Sequence, residues 1–204
     1  MSVTNSMAVE PVTLSGRLVR LAPLSLAHCE ELTAAVRDGE LWRHWYTTAP
    51  EPEQMRAETE RRLGLQAQGS MLPFAVIEQA SGRAVGMTTY MNIDCKHFRV
   101  EIGSTWLARA VQRSGINTEA KLLLLAHAFE RLDCVAVELR THVLNHQSRR
   151  AIERLGAKLD GILRNHQRAR NGTLRDTCVY SIIAPEWPTI RAHLQWQLDK
   201  ARAR

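Results

Sequence analysis

Apolar residues recur along the chain with two different spacings, and the change from one to the other marks the elements. Residues 14–21, Leu-Ser-Gly-Arg-Leu-Val-Arg-Leu, read as a short strand. Ser25 is placed to cap a helix reaching Val36, with Glu30 and Glu31 near its positive end. Pro50 and Pro52 break the chain before a second helix over 53–68, which stops near Gly69. Residues 74–77 are a continuous apolar strand, and Ser81-Gly82 turns the chain into a longer one over 84–93. Residues 98–106 alternate, with Phe98, Val100 and Ile102 on one face and Arg99, Glu101 and Gly103 on the other. A helix over about 115–131 is apolar nearly all round, which predicts burial. Val135, Val137 and Leu139 mark another strand, and 145–155 a helix with Gly156 as its left-handed stop. An Asn171-Gly172 turn joins two further strands, the return one over 177–183. Pro185 opens a last helix whose Lys200, Arg202 and Arg204 suit a C-terminal end.

Helices and strands are interleaved without repeat or linker, which predicts one α/β (α+β) domain over 14–204 with a mixed sheet, behind a flexible arm over 1–13. At 204 residues, 45% hydrophobic and 24% charged, the chain is long and apolar enough for a real core, which excludes disorder. Its densest apolar run, Leu122 to Leu125, falls far short of the roughly 18 residues of a membrane span. The first fifteen residues have neither the basic start nor the apolar centre of an export signal. Cysteines at 29, 95, 134 and 178 form no Cys-x-x-Cys pair, which argues against zinc knuckles and disulfide scaffolds and for a reducing, cytoplasmic setting. The formal charge of +6 suggests anionic partners. Aromatic residues at 5% are few for a base-stacking surface.

Candidate chemistry concentrates where the alternating strand meets the buried helix, at Trp106-Leu-Ala-Arg-Ala-Val-Gln112-Arg113-Ser114-Gly115-Ile116-Asn117-Thr118. Backbone N–H groups at a helix start lack partners within the helix and carry partial positive charge. Such a start suits a phosphate, with Arg113 as a nearby full charge and Gly115 allowing close approach. An ordinary capped turn is the competing reading. Neither Gly-Lys-Ser/Thr nor Gly-x-Gly-x-x-Gly is present.

About thirty residues on comes Asn145-His-Gln-Ser148-Arg-Arg-Ala-Ile-Glu-Arg-Leu-Gly156-Ala. The ordered set of Gln-x-x-Gly-x-Asn, buried helix, strand and Asn-x-x-Ser-x-x-Ala-Ile-x-x-Leu-Gly-Ala resembles the GNAT (Gcn5-related) N-acetyltransferases, in their RimJ/RimL branch. The resemblance covers about residues 14–190, including the segments at Gly16 and at Arg175-Asp176. It implies a mostly antiparallel sheet with a V-shaped splay between two central strands. It further implies acetyl-CoA as co-substrate, its pyrophosphate held by Gln112, Arg113, Ser114, Gly115, Ile116, Asn117 and Thr118. Asn117 stands where the family prefers glycine or alanine. The resemblance maps the pantetheine and acetyl carbonyl onto the backbone of Trp106 and Leu107, Asn145 beside the pantetheine, and Ser148 near the sulfur. The implied reaction is acetyl transfer to a primary amine, a protein N-terminus or a small molecule, by direct attack. A possible homodimer and an RNA contact limited to a ribosomal target complete the expected partners.

Glu101 is the candidate base, on the strand feeding the splay, with a structural carboxylate as the other reading. Ser148 is either a hydrogen-bond donor to sulfur or a first-turn helix residue. His142 and His146 straddle a junction with no third ligand, so no metal site is expected, and His127 reads as a core residue. Arg164, His166, Arg168 and Arg170 alternate and should share one face, as a solvated edge or a surface for an anion. Trp42, His44, Trp45 and Tyr46 are either an acceptor entrance or a core anchor. The competing functions are a non-catalytic acyl-CoA binder and a ribosome- or RNA-associated protein.

Overall fold

The computed structural model describes residues 7–202. Over these residues the strands are β1 (Leu14–Ser15), β2 (Val19–Pro23), β3 (Met71–Glu78), β4 (Ala84–Asp94), β5 (Arg99–Leu107), β6 (Ala136–His142), β7 (Lys158–Arg168) and β8 (Leu174–Ile183). The helices are α1 (Cys29–Arg37), α2 (Met55–Ala67), α3 (Ile116–Glu130), α4 (His146–Arg154) and α5 (Trp187–Arg202). The strands form one sheet in the order β1-β2-β3-β4-β5-β6-β8-β7. Only β5 and β6 run parallel, because α3 carries the chain back between them.

Alternation along β4 fixes which helix covers which face. Neighbouring residues point to opposite sides: Thr89 receives Arg62 of α2, and the Tyr90 hydroxyl donates to the Leu124 carbonyl of α3. The α2 and α3 helices therefore cover opposite faces of the sheet. The α3 helix packs in turn under α5, where Phe129 stacks on Trp187 with ring centroids 5.5 Å apart.

Three expectations change. The strand over 14–21 is two strands, because the chain turns at Gly16, whose N–H donates to the Val19 carbonyl at 2.8 Å. Of the arm over 1–13, residues 1–6 lie outside the described residues. From Met7 on the chain is docked: Met7 is buried and the Cys134 thiol lies 3.7 Å from its sulfur. The basic row on β7 does not hold one face, because Asn165 is left-handed at φ 50° and the register with β8 slips between Leu163 and Gln167. Arg164 pairs with Asp176 at 2.6 Å, and Arg170 lies beyond the strand.

Candidate active site

The β5 and β6 strands pair at only three positions, Arg99 with Ala136, Val100 with Val137 and Glu101 with Glu138. Both strands continue past this point, to Leu107 and His142, with no pairing across, so the sheet opens into a wedge. A bulge contributes to the divergence. Between Gly103 and Trp106 the β5 register against β4 slips by one residue, with Ser104 left-handed at φ 49°.

The turn after β5 is fastened to that strand, since the Gln112 side-chain amide donates to the Leu107 carbonyl at 3.0 Å. Gln112 therefore shapes the turn with its side chain. Arg113 (φ 64°) and Gly115 (φ 93°) are both left-handed, and Gly115 sits at the N-cap of α3 with no side chain capping it. The N–H groups of Arg113, Ser114, Gly115, Asn117 and Thr118 find no acceptor among the described residues, and that of Ile116 meets only the Ser114 hydroxyl at 3.5 Å. Uncapped, converging N–H groups of this kind form an anion-binding nest. Arg113 is exposed beside it. Ile116 and Thr118 are buried and offer backbone only.

Ladder alternation separates the two residues expected to meet the thioester. Ala108 N–H donates to the Val85 carbonyl at 2.8 Å, and Met87 stands opposite Trp106. The Trp106 N–H is thus turned to β4, while the Leu107 N–H faces the wedge. The Trp106 indole N–H is buried without a partner among the described residues.

Glu101 lies at the apex of the wedge, 6% exposed. Its Oε2 accepts from Asn92 Nδ2 at 2.7 Å and lies 3.4 Å from Arg140 Nε. Oε1 has no hydrogen-bond partner among the described residues and lies against Gly103, where a Cβ would come within 2.9 Å of it. Burial raises the Glu101 pKa above the ordinary carboxylate value, opposed by Asn92 and Arg140. Its neighbour Glu138, although burial opposes ionisation, is held below that value by Arg99 and Arg140. Two adjacent carboxylates are thus driven apart, one kept ionised and one poised to take a proton.

Across the wedge, Asn145 caps α4: its Oδ1 accepts the Ser148 N–H at 3.0 Å. The Ser148 hydroxyl makes no hydrogen bond to the described residues. Of the aromatic run, Trp42 packs partly buried against the core, whereas Trp45 is 46% exposed and meets His142 edge to face.

Three polar groups have settings that the sequence reading did not assign: two that it passed over, and His142, which it weighed only as a metal ligand. Glu119, on α3, accepts the N–H groups of Arg17, Leu18 and Val19 at 3.0, 2.6 and 2.8 Å. Lys121, two residues on and so on the other side of α3, is buried with its Nζ 2.7 Å from Thr105 Oγ1 and 3.2 Å from Thr88 Oγ1, directly behind the β5 bulge. Burial lowers its pKa to about 7. His142 ends β6 beneath Trp45. Charged residues inside an otherwise apolar buried helix were the available signal for the first two, since such groups are kept only where they are partnered.

No group of metal-binding side chains occurs among the described residues, and no described helix is long and apolar enough to cross a membrane.

Comparison with known proteins agrees with this geometry. The acetyltransferase (GNAT) domain family matches residues 18–158. YdaF of Bacillus subtilis (strain 168), provisionally named a ribosomal N-acetyltransferase, is 34% identical over 106 residues, which span 52% of this chain and 57% of that protein. The chain therefore matches little more than half the length of this curated relative. The crystal structure of a GCN5-related N-acetyltransferase from Brucella melitensis superposes with a TM-score of 0.84 at 34% identity, covering 93% of this chain and 86% of that one. RimJ of Mycobacterium smegmatis, solved in complex with CoA-disulfide, shares the fold at a TM-score of 0.76 and 22% identity, covering 90% and 93%. With its three-residue β5–β6 pairing, open wedge and uncapped α3, the chain belongs to the GNAT acetyltransferase family.

Proposed function

We propose that this protein transfers the acetyl group of acetyl-CoA directly to a primary amine, in the manner of the RimJ/RimL-like branch. The observation that carries the reading is the run of unpartnered N–H groups over 113–118 at the end of the very strand that splays from β6. These residues fit a diphosphate: they present donors, a left-handed glycine and a flanking arginine. Asn117, half-buried in the first turn of α3, makes no capping bond and adds a polar side chain to that turn.

When bound, acetyl-CoA supplies an activated acetyl thioester. The Leu107 N–H is positioned to polarise the acetyl carbonyl and favour the developing oxyanion. Glu101 Oε1 takes the proton that the amine releases on forming the C–N bond, directly or through water. Ser148 Oγ, free of intramolecular bonds, donates toward the sulfur as the C–S bond breaks and the thiolate leaves. A covalent cysteine route is disfavoured: Cys134 is buried with its thiol pushed up to about 12, Cys178 is buried within β8, Cys29 opens α1, and the exposed Cys95 lies in the β4–β5 turn, at the closed end of the β5–β6 pair.

The attacking amine must be neutral. An α-amine, pKa about 7.7–8.0, meets that condition near neutral pH far better than a lysine amine at about 10.4. A single carboxylate base therefore suits a protein N-terminus or another low-pKa amine. The named relative, linked to ribosomal N-acetylation, supports a protein acceptor. The free cysteines suit a reducing compartment such as the cytoplasm.

Thiol release from acetyl-CoA with a panel of amines tests the proposal. Amine-dependent release is expected. Acetyl-CoA binding without release under any amine identifies a non-catalytic binder instead.

A further inference from the structure

On the face that β6 and β8 share with Glu101, one buried hydrogen-bond donor has no acceptor and one guanidinium has no carboxylate among the described residues. The first is His142, 3% exposed at the end of β6. Its Nδ1 accepts the Leu144 N–H at 3.0 Å, so the neutral ring carries its proton on Nε2. That Nε2–H is buried and meets no acceptor among the described residues. Its cover is aromatic: Trp45 lies edge to face with ring centroids 5.1 Å apart, and Tyr46 lies at 6.3 Å. An aromatic face is at best a second-order acceptor. A buried donor without a partner has lost its water and gained nothing in exchange, a cost that an arriving oxygen would relieve. Trp45 is itself about half exposed, so the route from solvent to this N–H is short.

The second is Arg175, partly buried on β8. Its Nε donates to Thr177 Oγ1 at 3.0 Å, and Thr177 stands opposite His142 in the β6–β8 register. Two residues before Thr177 on the same strand, Arg175 lies on the face that carries His142, and its charge is felt by both His142 and Glu101. Arg99, Arg140 and Arg164 each lie within ion-pair distance of a carboxylate, whereas Arg175 makes no ion pair among the described residues. Arg99, Arg140 and Arg175 face Glu101 and Glu138, and Asp176, the carboxylate whose charge reaches His142, is paired with Arg164, which leaves one cation in excess.

We propose that His142 and Arg175 form the specificity subsite for the acceptor, binding a carboxylate carried within a few bonds of the attacking amine. The inference rests on the acetyl-transfer reading and adds the substrate class to it. A carboxylate supplies oxygen for the neutral donor and charge for the guanidinium. A neutral carbonyl would answer His142 alone and leave the excess charge in place. A polyamine would meet Arg175 as a like charge. The acceptor class is thus an acidic amine, such as a peptide whose first residues include aspartate or glutamate, and the molecule's net charge of +6 favours its approach.

The test measures acceptor KM at saturating acetyl-CoA for peptide pairs with a free N-terminus that differ only by glutamate or glutamine in the first two positions. A polyamine serves as the third acceptor. The wild type is expected to show a KM at least ten-fold lower for the glutamate peptide and poor use of the polyamine. R175Q should collapse that ratio toward one. H142F, which keeps the ring and removes the donor, should raise the KM of the glutamate peptide several-fold, and H142Q should recover part of the loss by restoring an N–H. Unaltered acetyl-CoA affinity in each variant shows that the wedge is intact. A wild type indifferent to the carboxylate, or an R175Q variant that keeps the preference, overturns the proposal while leaving acetyl transfer standing. Absence of thiol release with every acceptor overturns the transfer reading and this subsite with it.

Discussion

Asn92 Nδ2 donates to Glu101 Oε2 at 2.7 Å from a left-handed backbone, φ 47°, created by an extra residue in β4. The bulge turns the amide onto the carboxylate across the strand pair, fixing one oxygen and leaving the other toward the wedge. Asparagine is among the few residues that accept this backbone conformation readily.

As a base, Glu101 gives a rate that rises as its carboxyl ionises. The acid limb of kcat/KM should fall above the ordinary carboxylate range, because burial raises this pKa. Glu101→Gln should abolish that limb and lower kcat/KM by about 10²–10⁴-fold. Asn92→Ala removes a donor that favours the charged form, so it should move the limb to still higher pH. pH–rate profiles of the three proteins check both statements.

Lys121 gives the fold a distinct pH signature. Its folded pKa of about 7 lies below the unfolded value of 10.5, so the unfolded chain binds the extra proton between those limits. The destabilisation is fully present below about pH 7 and disappears toward 10.5, with a slope of up to about 1.4 kcal/mol per pH unit. Lys121→Met leaves Thr88 and Thr105 bonded to one another, their hydroxyl oxygens being 2.8 Å apart. This variant should be more stable than wild type near pH 7, and denaturant titrations should show the gap closing as the pH rises.

Ser148 and Asn145 separate by readout. Ser148→Ala removes a free hydroxyl but keeps the N–H that Asn145 caps, so kcat should fall while acetyl-CoA affinity and melting temperature hold. Asn145→Ala should cost about 1 kcal/mol of stability through the lost cap. Equal loss of kcat and affinity in Ser148→Ala would reassign the hydroxyl to binding.

Glu119 ties the start of the sheet to the helix that follows the turn at 112–115. Glu119→Ala strands three N–H donors and should cost several kcal/mol, on the order of 1–3 per buried group. Gly16→Ala should fail for a steric reason, since a Cβ there would lie 2.5 Å from the Glu119 carboxyl. Thermal melts of both variants test the clamp.

The elements were legible wherever a local rule dictates them. Gly156 and Gly172 occupy the left-handed conformations that their helix-stop and turn positions require, whereas the left-handed Gly115 at an N-cap follows from no such rule. Burial of α3 followed from its apolar circumference, and Val137 and Leu139 are core residues, whereas Val135, read as part of the same strand, is exposed and precedes β6. What stayed hidden depends on contacts between distant segments. Glu119 meets residues about a hundred positions away, and Lys121 meets strands folded from 16 and 33 positions upstream. The bulge at Asn92 has no glycine to announce it, whereas the one at Ser104 follows directly on Gly103. The wedge itself reflects a pairing that stops at Glu101, and no single strand's pattern encodes where its neighbour departs.

The most direct test of the central claim is residue-resolved amide hydrogen exchange, with and without acetyl-CoA. The amides of Arg113, Ser114, Gly115, Asn117 and Thr118 should exchange freely in the free protein and slow at least ten-fold when acetyl-CoA is added. Acetyl-CoA bound with those five amides still exchanging at their free rates would contradict the account.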